Sequence, residues 1–470
     1  MPRVLLAKAR FLSSDQHAVT PPMGLLYLAS VLRQAGHEVA LHDVGEEFRD
    51  PQRYRRRVRD FRPDVVGLSG LTIEADALRT MARIARQEAP RCAVVAGGPH
   101  ATHYPGRCLE EPALDAVVIG EGEATFPDLL DALAGHADPG GVPGVATRGA
   151  DGQVRMGPPR APIEDLDALP LPAWDLLDPD LYRNRSSMAT VGRRRYLPLV
   201  SSRGCPYGCI YCHQVHGKRF RARSAASVLH EMQAAMAQTG VREFEFVDDC
   251  FNLDRRRMAE ILDGVIGSAP GSVLHFPNGL RTDLLDAAQI RRMRQAGTRY
   301  VAVAVESASP RIQALARKNL DLEKVRENVR HMVDQGLYVN GFFMLGFPTE
   351  TIEEARQTVE FALRSPMQQA HFFIVTPFAG TPLFDLCTPI LKDRNAAFRP
   401  RDMDYFRGSQ NVSAMTDAEL FGLQREAYRR FYLSPLRIGR LLRAHPRRAQ
   451  LFLYGLATLP KMLPRRRGNA

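Results

Sequence analysis

The feature that most constrains this chain is a series of short, near-continuously apolar segments separated by helical patterns, and the series occurs twice. In the first, Val4–Ala7, Glu38–His42, Asp64–Ser69, Cys92–Ala96 and Asp115–Ile119 read as strands. Leu25, Leu26, Leu28, Ala29 and Leu32 mark one helical face that stops at Gly36, and helical stretches also cover Ala75–Gln87 and Thr125–Leu133. Strands apolar on both faces and alternating with helices predict a parallel sheet covered on both sides.

Residues 1–135 therefore read as an α/β, flavodoxin-like (Rossmann-type) doubly wound domain. From 136 to 195 the pattern fails. Pro139-Gly-Gly-Val-Pro-Gly, Gly157-Pro-Pro and Leu169-Pro-Leu-Pro predict a linker that wraps rather than packs. The second series has strands at Leu197–Ser201, Glu243–Val247, Leu274–Asn278, Tyr300–Val305, Val339–Leu345 and Phe372–Thr376. Helices are expected after Ser224, Asp254, Asp283 and Thr349. Six βα units over 196–380 predict a partial (β/α)6 barrel, whose active site lies at the carboxyl ends of its strands. Residues 381–470 form a helical, basic C-terminal region.

With 45% apolar and 24% charged residues the chain is of ordinary globular composition. It opens without a signal-peptide pattern, and no apolar run approaches the roughly 20 residues of a membrane span. A cytoplasmic location is the expectation. Seven cysteines, an odd number, exclude a disulfide scaffold. Cys92, Cys108, Cys250 and Cys387 are scattered, whereas Cys205, Cys209 and Cys212 crowd together, which in a reducing compartment points to metal ligation.

Ser201-Ser-Arg-Gly-Cys205-Pro-Tyr-Gly-Cys209-Ile-Tyr-Cys212 places the spacing Cys-x3-Cys-x2-Cys on a loop after the first barrel strand. Soft thiolates suit iron–sulfur clusters and zinc. Three ligands leave one iron of a cubane open to chelate an amino and a carboxylate group. Gly204 and Gly208 let the loop fold tightly. Zinc remains an alternative, with His213 or His216 as fourth ligand, as do three unrelated thiols.

The triplet, with the aromatic Tyr211 before its last cysteine, resembles the defining motif of the radical S-adenosylmethionine (SAM) superfamily. That resemblance implies a 4Fe-4S cluster on Cys205, Cys209 and Cys212, SAM on the open iron, and cleavage to a 5′-deoxyadenosyl radical with an electron donor such as flavodoxin or ferredoxin. It further implies SAM contacts from Tyr211, from Asp248 and Asp249 after the second strand, from Glu306 and Ser307 after the fourth, and from Gly346 after the fifth. No other catalytic residue is assigned.

Thr20-Pro-Pro22-Met-Gly24, Ser69-Gly-Leu71-Thr72, Gly97-Gly98-Pro-His100 and Gly120-Glu121-Gly122-Glu123 resemble the loops of the cobalamin-binding domain that precedes many radical SAM enzymes. These Gly-rich loops all follow strands, at the carboxyl edge where doubly wound sheets bind ligands. These residues are the expected cobalamin contacts. The resemblance departs in one place: the loop after the first strand, with Asp15 and His17, lacks Asp-x-His-x-x-Gly. His17 is thus not expected to ligate cobalt. A degenerate domain kept as scaffold is the alternative.

The resemblance implies a cobalamin-dependent radical SAM C-methyltransferase acting on an unactivated carbon. A non-methylating oxidative cyclase or rearrangement enzyme on the same scaffold is the second reading. A non-catalytic membrane-peripheral binding protein is the third, and the intact triplet argues against it. The net charge of +11 equals the eleven Lys and Arg that follow Ala427 with no acidic residue among them. Apolar residues interleave with these arginines from Phe431 onward, as in an interfacial helix. That pattern suits a lipid-like, tetrapyrrole or natural-product substrate and peripheral membrane contact. No nucleic-acid-reading motif accompanies the charge.

Overall fold

The computed structural model describes residues 1–10, 20–43, 51–183, 187–191, 194–213, 215–378, 380–393, 410–445, 447 and 451. They form two compact units: residues 1–185 with 202–205 and 214–241, and residues 186–201 with 206–213 and 242–470. The chain passes from one unit to the other five times.

The first unit is built on one sheet. Its strands are β1 (Arg3–Lys8), β2 (Glu38–His42), β3 (Val65–Ser69), β4 (Ala93–Gly97), β5 (Ala116–Val118), β6 (Val145–Arg148) and β7 (Val154–Met156), in the order β2-β1-β3-β4-β5-β6-β7. The first five are parallel, with the order reversing at β1/β3 as a doubly wound sheet requires. Leu5, Val66, Val94 and Val117 are fully buried with Tyr54, Val58, Met81 and Ile84 of the covering helices. Each such side chain contributes about 1.5–3 kcal/mol. The segment read as a wrapping linker instead adds β6 and β7, both antiparallel. Its glycines serve the turns: Gly144 lies at φ +79°.

Two further strands of this unit, β8 (Leu197–Leu199) excepted because it belongs to the second, are β9 (Ser202–Arg203) and β10 (Arg221–Ala222). They pair antiparallel as the stem of a hairpin. The helix Ala225–Thr239 follows, capped by Ser224, whose hydroxyl accepts from the Ser227 N–H.

The second unit holds β8, β11 (Glu243–Phe246), β12 (Val273–Leu280), β13 (Thr298–Glu306), β14 (Tyr338–Leu345) and β15 (Gln369–Ile374). They lie in sequence order and every pair is parallel, which is the expected partial barrel. Two helix starts differ from expectation. Asp286, not Asp283, caps Ala287–Gln295 in a reciprocal box with Gln289. Asp283 pairs with Arg281 instead. Thr351, not Thr349, caps Ile352–Arg364, and Thr349 sits at φ +62° in the preceding turn.

Near the amino ends of these strands the interior is polar. Arg194 pairs with Glu243 at 2.9 Å and with Glu245, and Thr190 donates to Gln369 at 2.7 Å. At the open edge, the helix Asp417–Tyr432 does the work of a missing strand. The Tyr428 hydroxyl accepts from the Phe372 N–H, the Tyr432 hydroxyl bridges the N–H and C=O of Ala370, and Gln424 donates to the Phe372 carbonyl. Among the described residues no helix is long and apolar enough to cross a membrane.

Candidate active site

Because the six strands of the second unit are parallel, Ser201, Asp248, Glu306 and Gly346 all follow or end strands on one side of the sheet. The cysteine loop is fixed there by Ile210, which is buried with Ile312, Phe347 and Leu383. Its N–H donates to Ala316 O (3.1 Å) and its carbonyl accepts from Leu383 N–H (2.9 Å). Its neighbours inherit that position. Cys209 is buried, with its thiol 3.8 Å from the Arg317 carbonyl. The Tyr211 ring stands edge-on to Phe347 at 6.0 Å, and its hydroxyl donates to Glu306 Oε1 at 3.3 Å.

Glu306 ends β13 at φ +64°, where the ladder to β14 shifts register. A non-glycine residue in that region is strained, and such residues cluster at functional sites. Burial raises its carboxyl above the usual range, against the Lys318 ammonium (3.5 Å) and the Tyr211 hydroxyl. Gly346 lies at φ +95°, and a Cβ there would stand 3.1 Å from Leu420. The N–H groups of Gly346 and Phe347 both donate to Glu350 Oε2, at 2.5 and 3.0 Å. Burial pushes that carboxyl up to about 7.

Tyr211, Glu306 and the Gly346–Phe347 turn are therefore brought together. Asp248 is spent elsewhere: its two oxygens accept from the Ser201 N–H and hydroxyl, at 2.7 and 2.5 Å, locking the start of the cysteine loop. The Ser307 hydroxyl meets Thr358 Oγ1 at 3.2 Å and accepts from the Ser309 N–H. Asp249 is exposed. Lys318, Glu350, and Arg281, whose guanidinium lies 4.1 Å over the Tyr207 ring, are site residues the sequence did not mark. Only the position of Tyr207 inside the triplet hinted at the last contact.

Gly204, at φ +81°, is required by close approach: a Cβ would lie 2.2 Å from the Arg219 carbonyl. Cys205 is half-buried and its N–H donates to Gly217 O, while Cys212 is exposed. Among the described residues no three His, Cys, Asp or Glu converge as a single metal ion needs. His213 packs on Phe378, and the His216 Nδ1 faces Glu121 at 3.6 Å. A cubane asks each thiolate for a separate iron, and this soft donor set fits it.

In the first unit the loops after β3, β4 and β5 are bonded to one another. His100 N–H donates to Gly70 O, and Gly120 N–H donates to Thr102 Oγ1. Gly98 (φ +79°) lets β4 turn against Ser69, whose Oγ would lie 2.4 Å from a Cβ. At Gly24 and Gly120 an added Cβ would meet nothing within 4 Å, and Leu71 is 44% exposed beside Thr72. This open, glycine-faced edge fits a bulky cofactor. Pro22 is buried ahead of the helix Met23–Gln34, and Gly122 opens the helix Gly122–Ala134. His100 is 3% exposed and its Nδ1 has no hydrogen-bond partner among the described residues. Burial lowers its pKa to about 4, so the ring is neutral. Glu121 and Glu123 turn their carboxylates onto Arg203 and Arg221. His17 lies outside the described residues.

Comparison with known proteins agrees with both halves. Residues 13–130 match the B12 binding domain family and residues 199–362 the radical SAM superfamily. The chain is 32% identical to an uncharacterized methyltransferase of Pyrococcus horikoshii, over 88% of each chain. It is 29% identical to the cytidylyl-2-hydroxyethylphosphonate methyltransferase of Streptomyces wedmorensis (88% of this chain, 86% of the relative). It is 28% identical to the anaerobic magnesium-protoporphyrin IX monomethyl ester cyclase of Rubrivivax gelatinosus (88% and 74%). Its fold is shared with the radical SAM methyltransferase TsrM of Kitasatospora setae, solved with cobalamin and a 4Fe-4S cluster bound, at TM-score 0.67 and 21% identity (83% and 79% covered). A B12 domain ahead of a radical SAM barrel defines the class. The chain belongs to the cobalamin-dependent radical SAM methyltransferase family. It is an enzyme of the family's cofactor set: a 4Fe-4S cluster, SAM and cobalamin.

Proposed function

We propose that this enzyme methylates an unactivated carbon of a lipid-like, tetrapyrrole or natural-product substrate. The observation that carries the reading is the meeting of Tyr211, Glu306 and the Gly346–Phe347 turn around the buried end of the cysteine loop. Cys205, Cys209 and Cys212 would hold the cluster, and the glycine-faced edge of the first unit would hold cobalamin. When bound, the cluster supplies the electron that cleaves SAM and cobalamin carries the methyl group. The chain's own part is positional. Glu306 offers a buried carboxylate to a ribose hydroxyl, and the Gly346–Phe347 backbone, braced by Glu350, forms a wall for an adenine. An electron donor such as flavodoxin or ferredoxin completes the set.

The test is the fate of SAM. Reconstituted enzyme, given lipid, tetrapyrrole and antibiotic precursors, is expected to release 5′-deoxyadenosine and S-adenosylhomocysteine in similar amounts with the true substrate. Label in the SAM methyl group is expected to enter the product. The Rubrivivax relative supports a second reading, an oxidative cyclase. Turnover that yields 5′-deoxyadenosine alone, without the mass of a methyl group in the product, would overturn the first and leave a non-methylating radical reaction.

A further inference from the structure

The stem of the cysteine hairpin carries Arg203 and Arg221, Arg223 follows it, and all three are buried against carboxylates of the first unit. Arg203 on β9 pairs with Glu121 (3.2 Å) and Glu123 (2.5 Å). Arg221 on β10 forks onto both oxygens of Glu121, at 3.0 and 2.8 Å, and donates to the Ile163 carbonyl. Arg223 pairs with Glu231, and donates at 2.9 Å to the Tyr27 hydroxyl, which itself donates to Glu231 at 2.8 Å. Three cations thus face three anions, each less than a tenth exposed. Burial alone would raise the Glu121 pKa. The nearby His216 ring, the hydrogen bonds from Arg221 and the Arg203 charge outweigh it and hold the carboxyl well below the usual range.

Glu121 and Glu123 resemble cofactor contacts by motif, yet their side chains face the stem, leaving Gly120 to present backbone at the β5 edge. We propose that Glu121 and Glu123 are positioning residues that clamp the β9–β10 stem and so set where Cys205 stands. The consequence for the cluster rests on the reading of Cys205 as its ligand. The geometry explains why a two-residue strand pair suffices to bound a loop of seventeen residues, 204–220. Backbone pairing of that length is marginal alone, and buried, hydrogen-bonded ion pairs supply a single register.

Hydrogen exchange on the apoprotein tests the clamp without any cofactor. In E121Q/E123Q, amides of residues 202–222 are expected to exchange at least about tenfold faster, with β1 and β3 unchanged. Unchanged exchange at 202–222 would overturn the proposal. If the double variant does not fold, the charge-swapped pair E123R/R203E is expected to restore wild-type protection that E123R alone lacks; failure to restore it counts against the clamp. On reconstituted holoprotein, E121Q/E123Q is expected to hold less than half the iron of wild type. Its residual cluster should give an altered paramagnetic resonance spectrum, with cobalamin affinity unchanged. Lost cobalamin with an intact cluster would return both residues to cofactor contact. A wild type that takes up no iron would refute the ligand reading while leaving the exchange result to stand or fall alone.

Discussion

The Tyr211 hydroxyl donates to Glu306 Oε1 at 3.3 Å, so the residue before the last cysteine and the last residue of β13 hold each other across the candidate site. Glu306 is 7% exposed, and its raised pKa means that folding penalises its charged form. The sign follows from linkage. The native state binds the proton more tightly than the unfolded chain, so stability is lost as pH rises from the unfolded value through the folded one. Glu306→Gln is therefore expected to raise Tm at pH 8. It should also weaken SAM binding by at least about tenfold. A variant with lower Tm and unchanged SAM affinity, by calorimetry, would remove Glu306 from the site.

Glu350 makes a sharper pH prediction, because burial brings its carboxyl to about 7 and two N–H donors stand on one oxygen. Wild type is expected to lose stability between pH 5 and 8 relative to Glu350→Gln. The difference has an upper bound of about 3 kcal/mol. Denaturant melts across that window check it, and parallel curves for the two proteins would contradict the assignment.

The seven cysteines divide by environment. Burial raises the thiols of Cys92 and Cys108 to about 11 and that of Cys387 to about 12, which leaves them inert as ligands. Replacing Cys205, Cys209 or Cys212 singly with Ala is expected to abolish cluster binding and SAM cleavage. Replacing Cys92, Cys108, Cys250 or Cys387 should spare both. Loss of iron in Cys250→Ala equal to that in Cys209→Ala would refute the three-ligand set.

Both strand series were legible because parallel strands buried on two faces leave unbroken apolar runs. Strands β6 and β7 were not, since β7 is exposed along its length and glycines surround both. Asp286 and Asp283 are equally good caps by residue type, and only the ion pair with Arg281 removes Asp283. The glycine loops could be read as a ligand edge, but the partners of Glu121 could not. Arg203 and Arg221 lie 82 and 100 positions away, and no local period ties a carboxylate to such a cation. Asp248 shows the same limit: its place after a strand was readable, but the Ser201 groups that occupy it were not.

The basic tail read as an interfacial helix divides into two parts. Arg437 is buried in the helix Pro435–Ala444 and donates to the carbonyls of Met367 (2.7 Å), Leu363 (2.8 Å) and Ser365 (3.2 Å), closing the carboxyl end of Ile352–Arg364. Phe431 is fully buried, and Tyr428 and Tyr432 cover β15. This part is structural. Arg437→Met should destabilise the protein by about 2–4 kcal/mol, because these carbonyls and that of Ala362 lose a donor. Ending the chain near Met415 should strip the β15 edge and give aggregated protein. Leu433, Leu436 and Leu442 remain exposed, and Lys461, Arg465, Arg466 and Arg467 follow in the sequence, in a stretch outside the described residues. The membrane test must therefore cut after Leu451, which keeps the structural part. Each basic residue near an anionic surface contributes about 1 kcal/mol, and salt screens the effect. The shortened chain is expected to bind phosphatidylserine vesicles at least about tenfold more weakly at low salt, with the difference gone at high salt. Equal binding at low salt by sedimentation would take the four terminal cations out of any membrane contact and leave the exposed leucines to be tested by Leu436→Asp.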